Sequence, residues 1–350
     1  MSWMVSLLVL SFLIFFHELG HYSAARFFGV YVEVFSIGFG KKIASFQLFN
    51  TEWRIAAIPL GGYVKMKGQN DVDPADASQD DDSYNTKAPW QRVIILLAGP
   101  FANFLVAFFL YLAIAFGGVQ ALSPVIGDVM PDSAAHVAGL QKNDVIVAIN
   151  SESVTTWKEM AKRIQTSPIL LQFQIERNGF LQNIEVTPKI QESKNMFGET
   201  IQKPMIGITS AGVLHDVEMN FTQKFDYAYE QTIFASMMIF KGVQKLITGD
   251  VPAKELGGVI SIVKVTADAS ESGWMAVFFF AALISVNLGV LNLLPIPALD
   301  GGHIMFNLYE MVTKNAPSEA VLIKLTVAGW GVLLGLMSLG LYNDINRLIG

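Results

Sequence analysis

The sequence predicts a polytopic α-helical membrane protein of about four spans, with a β-hairpin region after the first span and an α+β domain inserted before the third. Three observations carry this prediction. Of the 350 residues, 52% are hydrophobic and only 15% are charged, a balance outside that of ordinary soluble domains. Four apolar stretches reach the roughly 20 residues a helix needs to cross the hydrocarbon core. The first of these stretches carries the run His17-Glu18-Leu19-Gly20-His21.

The first span covers residues 1–25, and no charged residue occurs between Met1 and Phe16. His17 and His21 lie one helical turn apart on one face, so both imidazoles can bind one zinc ion. Glu18 beside them is placed to take a proton from a water that the metal activates. Ionisable groups within a span cost about 2.5–3.5 kcal/mol each on insertion scales, so they need a compensating partner. Zinc is such a partner. The motif supplies two ligands where a catalytic zinc takes three plus water. With no cysteine in the chain, the third cannot be a thiolate. The segment lacks a basic flank, and cleavage near Ser23-Ala24-Ala25 would discard the motif, so it reads as a retained span.

Residues 26–92 are of another kind. Val32–Phe39, Ile43–Phe49 and Glu52–Ile58 read as strands, with a turn at Asn50-Thr51. Pro59 to Met66, with Gly61 and Gly62, continues the sheet. Gln69 to Asn85 is acidic and Ser/Asp-rich, a solvated loop of disorder-type composition. The second span covers residues 93–116. Residues 121–212 alternate strand patterns with a helical stretch around Trp157 to Gln165. In 213–274, Phe221 to Ile247 is apolar on one face and carries Glu230, Lys241 and Lys245, which places it at the membrane interface rather than across it. The third span is read as 275–300 and a loop with a short helix as 301–320. The fourth span is read as 321–345, with Lys324 snorkelling to its edge.

Basic residues set the orientation. Arg26, Lys41, Lys42, Arg54, Lys65, Lys67, Lys87 and Arg92 all follow the first span, which puts that loop in the cytoplasm and the inserted domain outside. The net charge of −6 argues against nucleic acid as a partner.

Asn292 to His303 (NLLPIPALDGGH) is the second informative stretch. Pro295 and Pro297 cannot sit in an undisturbed helix. They break the third span where polar residues appear, and freed backbone groups at membrane depth are tolerated where they line a cavity. Asp300 can be the third zinc ligand. It can instead cap a helix opening at Gly301, and His303 competes for the metal.

These residues carry a resemblance. His17 to His21, Pro59 to Met66, Ala98-Gly99-Pro100-Phe101-Ala102-Asn103, Leu246 to Asp250 and Asn292 to His303 occur in the order and setting of the site-2 protease family. The chain resembles its bacterial regulator-of-sigma-E protease branch most. The resemblance implies one Zn2+ per chain, bound by His17, His21 and Asp300, with Glu18 as general base. It implies that Asn292, Pro295 and Pro297 shape a substrate groove, that Asn103, near the active site, also belongs to the substrate-binding residues, and that the hairpin region with Gly61 and Gly62 presents substrate as a strand. It implies intramembrane proteolysis in a bacterial inner membrane, with the active site toward the cytoplasm. The expected partners are the lipid bilayer and single-span substrates such as anti-sigma factors or remnant signal peptides. Ala134 to Asn150, with Pro124 to Val129, is similar to a PDZ core, so the inserted extracytoplasmic domain is expected to be PDZ-like. It departs at Asn143, where a glycine commonly stands; a left-handed turn tolerates Asn. The chain has room for one such domain, where better-known members of the branch carry two.

Two other classes compete. A zinc transporter uses His, Glu and Asp within spans but has no need of this motif at helical register, and zinc flux in proteoliposomes would reveal it. An inactive scaffold would bind substrates without cutting them, and has no need of both Glu18 and Asp300.

Overall fold

The computed structural model describes residues 2–69, 78, 80–167, 169–195 and 198–349. The chain divides into two compact units, Met1–Ala115 with Phe221–Gly350, and Phe116–Asn220. Among the described residues, the first holds four helices long and apolar enough to cross a membrane. They are α1 (Ser2–Phe27), α2 (Pro89–Gly117), α7 (Trp274–Asn292) and α9 (Glu319–Ile349).

Between α1 and α2, β1 (Val32–Leu48) and β2 (Thr51–Met66) form a long hairpin. The strands are continuous where the sequence suggested separate short ones. Each bends, so β1 residues 34–37 face two partners, 62–65 on one side and 52–55 on the other. Two strands therefore fill four sheet positions. Gly38 (φ +90) makes the bend possible, since a Cβ there would lie 2.8 Å from Ile58 O. The root of the hairpin packs Val32, Phe35 and Met66 against Tyr22 and Ala25 of α1 and Ile95 of α2. Its far end exposes Ile43, Phe46 and Phe49.

Most of the acidic stretch after β2, residues 70–77 and 79, lies outside the described residues. Its last part is docked rather than solvated. Lys67 Nζ reaches Asp80 (2.8 Å) and Asp82 (2.6 Å), and Ser83 and Tyr84 are buried.

The second unit contains β3 (Val119–Leu122), β4 (Ile126–Val129), α3 (Ala134–Val137), β5 (Val145–Ile149), β6 (Glu152–Ser153), α4 (Trp157–Thr166), β7 (Leu171–Arg177), β8 (Phe180–Val186), β9 (Lys189–Lys194), β10 (Thr200–Met205), β11 (Ile208–Ser210) and β12 (Leu214–Val217). Strands β6-β5-β7-β8 form a four-stranded sheet, and β11 pairs with β4. Strand β7 alternates buried and exposed along Leu171, Phe173 and Ile175, and these three join Ile146, Ile149, Met160 and Ile164 in one core. Thr156 and Glu159 close a capping box on α4. Strands β3 and β12 pair where the unit begins and ends.

Helix α5 (Phe221–Thr248) is not among the four candidate spans. It buries Ala228, Thr232 and Ala235 and leaves Phe225, Tyr229 and Phe240 exposed. Helix α6 (Val259–Glu271) packs along α1, and Ser6 O–H donates to Val263 O at 3.0 Å. Asp344 of α9 accepts from the N–H groups of Gly258 and Ser261 at the start of α6. One boundary differs from the sequence reading. Helix α7 stops at Asn292, and Asp300 is the first residue of a separate helix, α8 (Asp300–Thr313). The two prolines end the helix rather than kink it.

Candidate metal centre

Helix α1 supplies half of the centre. His17 and His21 are buried, and their Nε2 atoms approach to 3.2 Å. The other half comes from the C-terminal part of the chain. The link 293–299 wraps so tightly over the first turn of α8 that a Cβ on Gly301 would lie 2.3 Å from Leu294 O, and one on Gly302 would lie 2.4 Å from Ile296 O. On its other side the link meets Gly329 of α9, where a Cβ would lie 2.7 Å from Ala298 N. Held this way, Asp300 points at α1. Its Oδ2 is 3.4 Å from Nε2 of both His17 and His21.

Three electron-rich atoms so close repel one another unless a cation or proton sits among them. Asp300 Oδ2 is buried and has no hydrogen-bond partner among the described residues. Ligand atoms about 2.1 Å from a tetrahedral zinc lie about 3.4 Å apart, which is the spacing found here. The donor set thus fits a zinc ion. Among the described residues, the groups able to hold a metal include His17, His21 and Asp300 and not His303. Asp300 is the first residue of α8, so the metal-facing carboxylate stands in the helix's first turn rather than at its cap. The backbone N-cap residue, Leu299, offers no side-chain cap.

Around the ligands stand groups that orient them. The His21 Nδ1–H donates to Ile95 O at 2.8 Å. Asn103, fully buried in α2, lies 3.0 Å from His17 Nδ1. Asn292 Nδ2 is 3.3 Å from His17 Nε2. Gly62 of β2 lies beside Glu18: a Cβ there would be 3.2 Å from Glu18 Cγ and 2.9 Å from Ile14 Cγ2. The Val64 N–H faces the Glu18 carboxylate. Gly61 backs onto the ring of Phe39 instead. Of the residues singled out from the sequence, the structure brings His17, Glu18, His21, Asn103, Asn292, Asp300 and Gly62 together. Pro295 and Pro297 lie in the link, where the Pro297 backbone backs onto Gly302 and Gly329. Sequence reasoning missed Ile95 and gave Gly99 no role. Their signal was present as the spacing 95, 99, 103 along the second span.

The sequence profile of peptidase family M50 matches residues 5–336. The chain belongs to peptidase family M50, the site-2 proteases. A Campylobacter jejuni protein named "Putative zinc metalloprotease Cj1068" is 46% identical to the M50 chain, covering 100% of this chain and 94% of its own length. A Helicobacter pylori protein with the same description is 40% identical over 99% of both chains. "Zinc metalloprotease RasP" of Geobacillus kaustophilus is 30% identical over 97% of both. The M50 chain is a membrane-embedded zinc metalloprotease, and zinc is the metal its family uses.

Proposed function

We propose that the protein cleaves single-span membrane proteins, such as anti-sigma factors or remnant signal peptides, within or near the bilayer of a bacterial inner membrane. His17, His21 and Asp300 hold zinc, and Glu18 is the general base. The observation that carries this is the cluster itself: three ligand atoms 3.2–3.4 Å apart, joining two membrane-embedded parts of the chain, with a carboxylate next in sequence to the first.

When bound, zinc supplies Lewis acidity and makes water a nucleophile at neutral pH. Glu18 then takes the proton from water and returns it to the leaving amine. A helical substrate hides its carbonyls in its own hydrogen bonds and must unwind to be cut. Residues 62–66 of β2 pair with β1 on one side only, and Gly62 turns toward Glu18. A substrate laid along that edge as a strand regains backbone hydrogen bonds with its scissile carbonyl near the base. Asn292, whose Nδ2 lies 3.3 Å from His17 Nε2, shapes the substrate groove together with Pro295 and Pro297.

The second unit is a PDZ-like domain on the extracytoplasmic side, with the active site toward the cytoplasm. Support comes from Asn143 in the left-handed region (φ +69). Further support is a cavity of 190 Å³ between α4 and Lys203–Ile208, lined by Trp157, Met160, Ile164 and Met205. This domain controls which substrates arrive.

Glu18→Gln tests the reading. The variant should keep its zinc and lose cleavage by about 10²–10⁴-fold, the range of a general base. Membrane proteomics should then show short single-span fragments accumulating. Near-wild-type turnover would remove Glu18 from the mechanism.

A further inference from the structure

We propose that α2 is the element that orients the zinc ligands, acting through Ile95 O, Gly99 and the side-chain oxygen of Asn103; this rests on His17, His21 and Asp300 being the ligands. The three positions are four residues apart. Each step of four advances about 40° past a full helical turn, so they form one stripe on α2. That stripe faces both histidines. Ile95 O receives the His21 Nδ1–H at 2.8 Å. Gly99 lets the His21 ring lie against the helix, because a Cβ there would sit 2.2 Å from Nε2 and 2.5 Å from Cε1. Gly20 allows the same approach from α1, where a Cβ would meet Ala98 O at 2.2 Å. Asn103 stands at His17 Nδ1, and its own backbone is fixed by Ser285 O–H, which donates to Asn103 O at 2.8 Å.

The chemistry sets the direction of the Asn103 bond. A histidine that binds metal through Nε2 carries its proton on Nδ1. His17 therefore donates from Nδ1, and Asn103 accepts through Oδ1. The two ends of the amide exchange by rotating the terminal group. The structure places Asn103 Nδ2 at 3.0 Å from His17 Nδ1 and leaves Oδ1 buried with no hydrogen-bond partner among the described residues; the exchanged amide puts Oδ1 at His17 Nδ1, as the acceptor that a metal-bound imidazole requires. Both imidazoles are thus held in the metal-binding tautomer by α2, one by a backbone carbonyl and one by an amide. Asn103 acts on the metal site rather than on substrate.

The test is zinc affinity, measured on purified full-length protein in detergent by competition with a chelator. Asn103→Leu should weaken zinc binding by about 10–100-fold, the usual cost of losing such a partner. Asn103→Asp should bind nearly as the wild type does, because a carboxylate accepts the same proton. Gly99→Ala should weaken binding like Asn103→Leu, since the added methyl displaces the imidazole. Circular dichroism and gel filtration of the zinc-free variants should match wild type. If Gly99→Ala does not fold, the Asn103 pair decides alone. Unchanged zinc affinity in Asn103→Leu, with a raised KM, would make Asn103 a substrate residue and overturn the proposal. Equal weakening by Leu and Asp would overturn the acceptor role. Full zinc occupancy in His17→Ala would instead overturn the ligand assignment beneath it.

Discussion

Asp144 in the second unit and Asp300 in the first are both set among buried groups, yet they are answered differently. Asp144 is met by donors. Arg177 clamps it through two bonds of 2.7 Å, and the Gln141 N–H adds a third at 2.8 Å. Asp300 is met by acceptors, two imidazole nitrogens at 3.4 Å. The first arrangement is electrically complete within the protein and belongs to a fold. The second is complete only with a cation or a proton among its atoms. The same contrast separates Asp344, satisfied by the start of α6, from the metal centre. A buried carboxylate by itself says little; the sign of the atoms facing it says what it is for.

The largest expected effect is at Asp300. Asp300→Asn should strip zinc and end turnover, because a neutral amide is a poor ligand, while His303→Ala should leave the metal in place. Zinc content of the two purified variants decides, and the reverse pattern would move the third ligand to His303.

A deletion tests whether the two regions are independent. Leu122 pairs with Leu214 at the open end of the β3–β12 ladder, so residues 123–213 can be replaced by Asn-Gly as a hairpin turn. The shortened protein should retain zinc and cut a short-tailed substrate. It should also begin to cut one with a bulky folded outer domain. Full zinc with no cleavage of either substrate would show that the second unit activates the enzyme rather than filters its substrates.

Asp144→Ala removes the carboxylate that Arg177 clamps, leaving Arg177 only its bond to Gly139 O, and should destabilise the second unit by about 1–3 kcal/mol, the cost of losing a charged partner at a partly exposed site. Limited proteolysis should cut within 116–220 while zinc content stays unchanged. Loss of zinc together with that unfolding would refute the separation of the two regions.

The smallest effect lies on the hairpin. Hydrogen bonds from Lys42 and Arg54 push the Glu52 carboxyl down to about 2 from its ordinary 4.5. Because the folded value is depressed, the stabilisation is present above pH 4.5 and is lost as pH falls through about 2. Glu52→Gln should therefore loosen the ladder slightly at neutral pH, by the modest amount an exposed pair is worth. The difference from wild type should vanish toward pH 2. The fluorescence of Trp53, which stacks on Phe35 and Phe46, reports it.

The amino-acid sequence determined the parts of this protein that depend on local pattern. Apolar length set the spans. Helical register put His17 and His21 on one face with Glu18 beside them, and Pro295 with Pro297 marked where a helix must stop. Family membership followed from motifs in order. The tertiary structure alone decided what depends on contacts between distant residues. It set Asp300 Oδ2 3.4 Å from both histidines, across a link 293–299 whose close wrap Gly301 and Gly302 admit. It placed Asp300 on a new helix instead of in the third span. It folded β1 and β2 back on themselves, because Gly38 tolerates a close approach that strand alternation cannot reveal. It brought Ile95 O to His21, a backbone group that no side-chain motif can announce. Periodicity is written in neighbours along the chain; the geometry of a site is written in atoms hundreds of residues apart, and only packing brings those together.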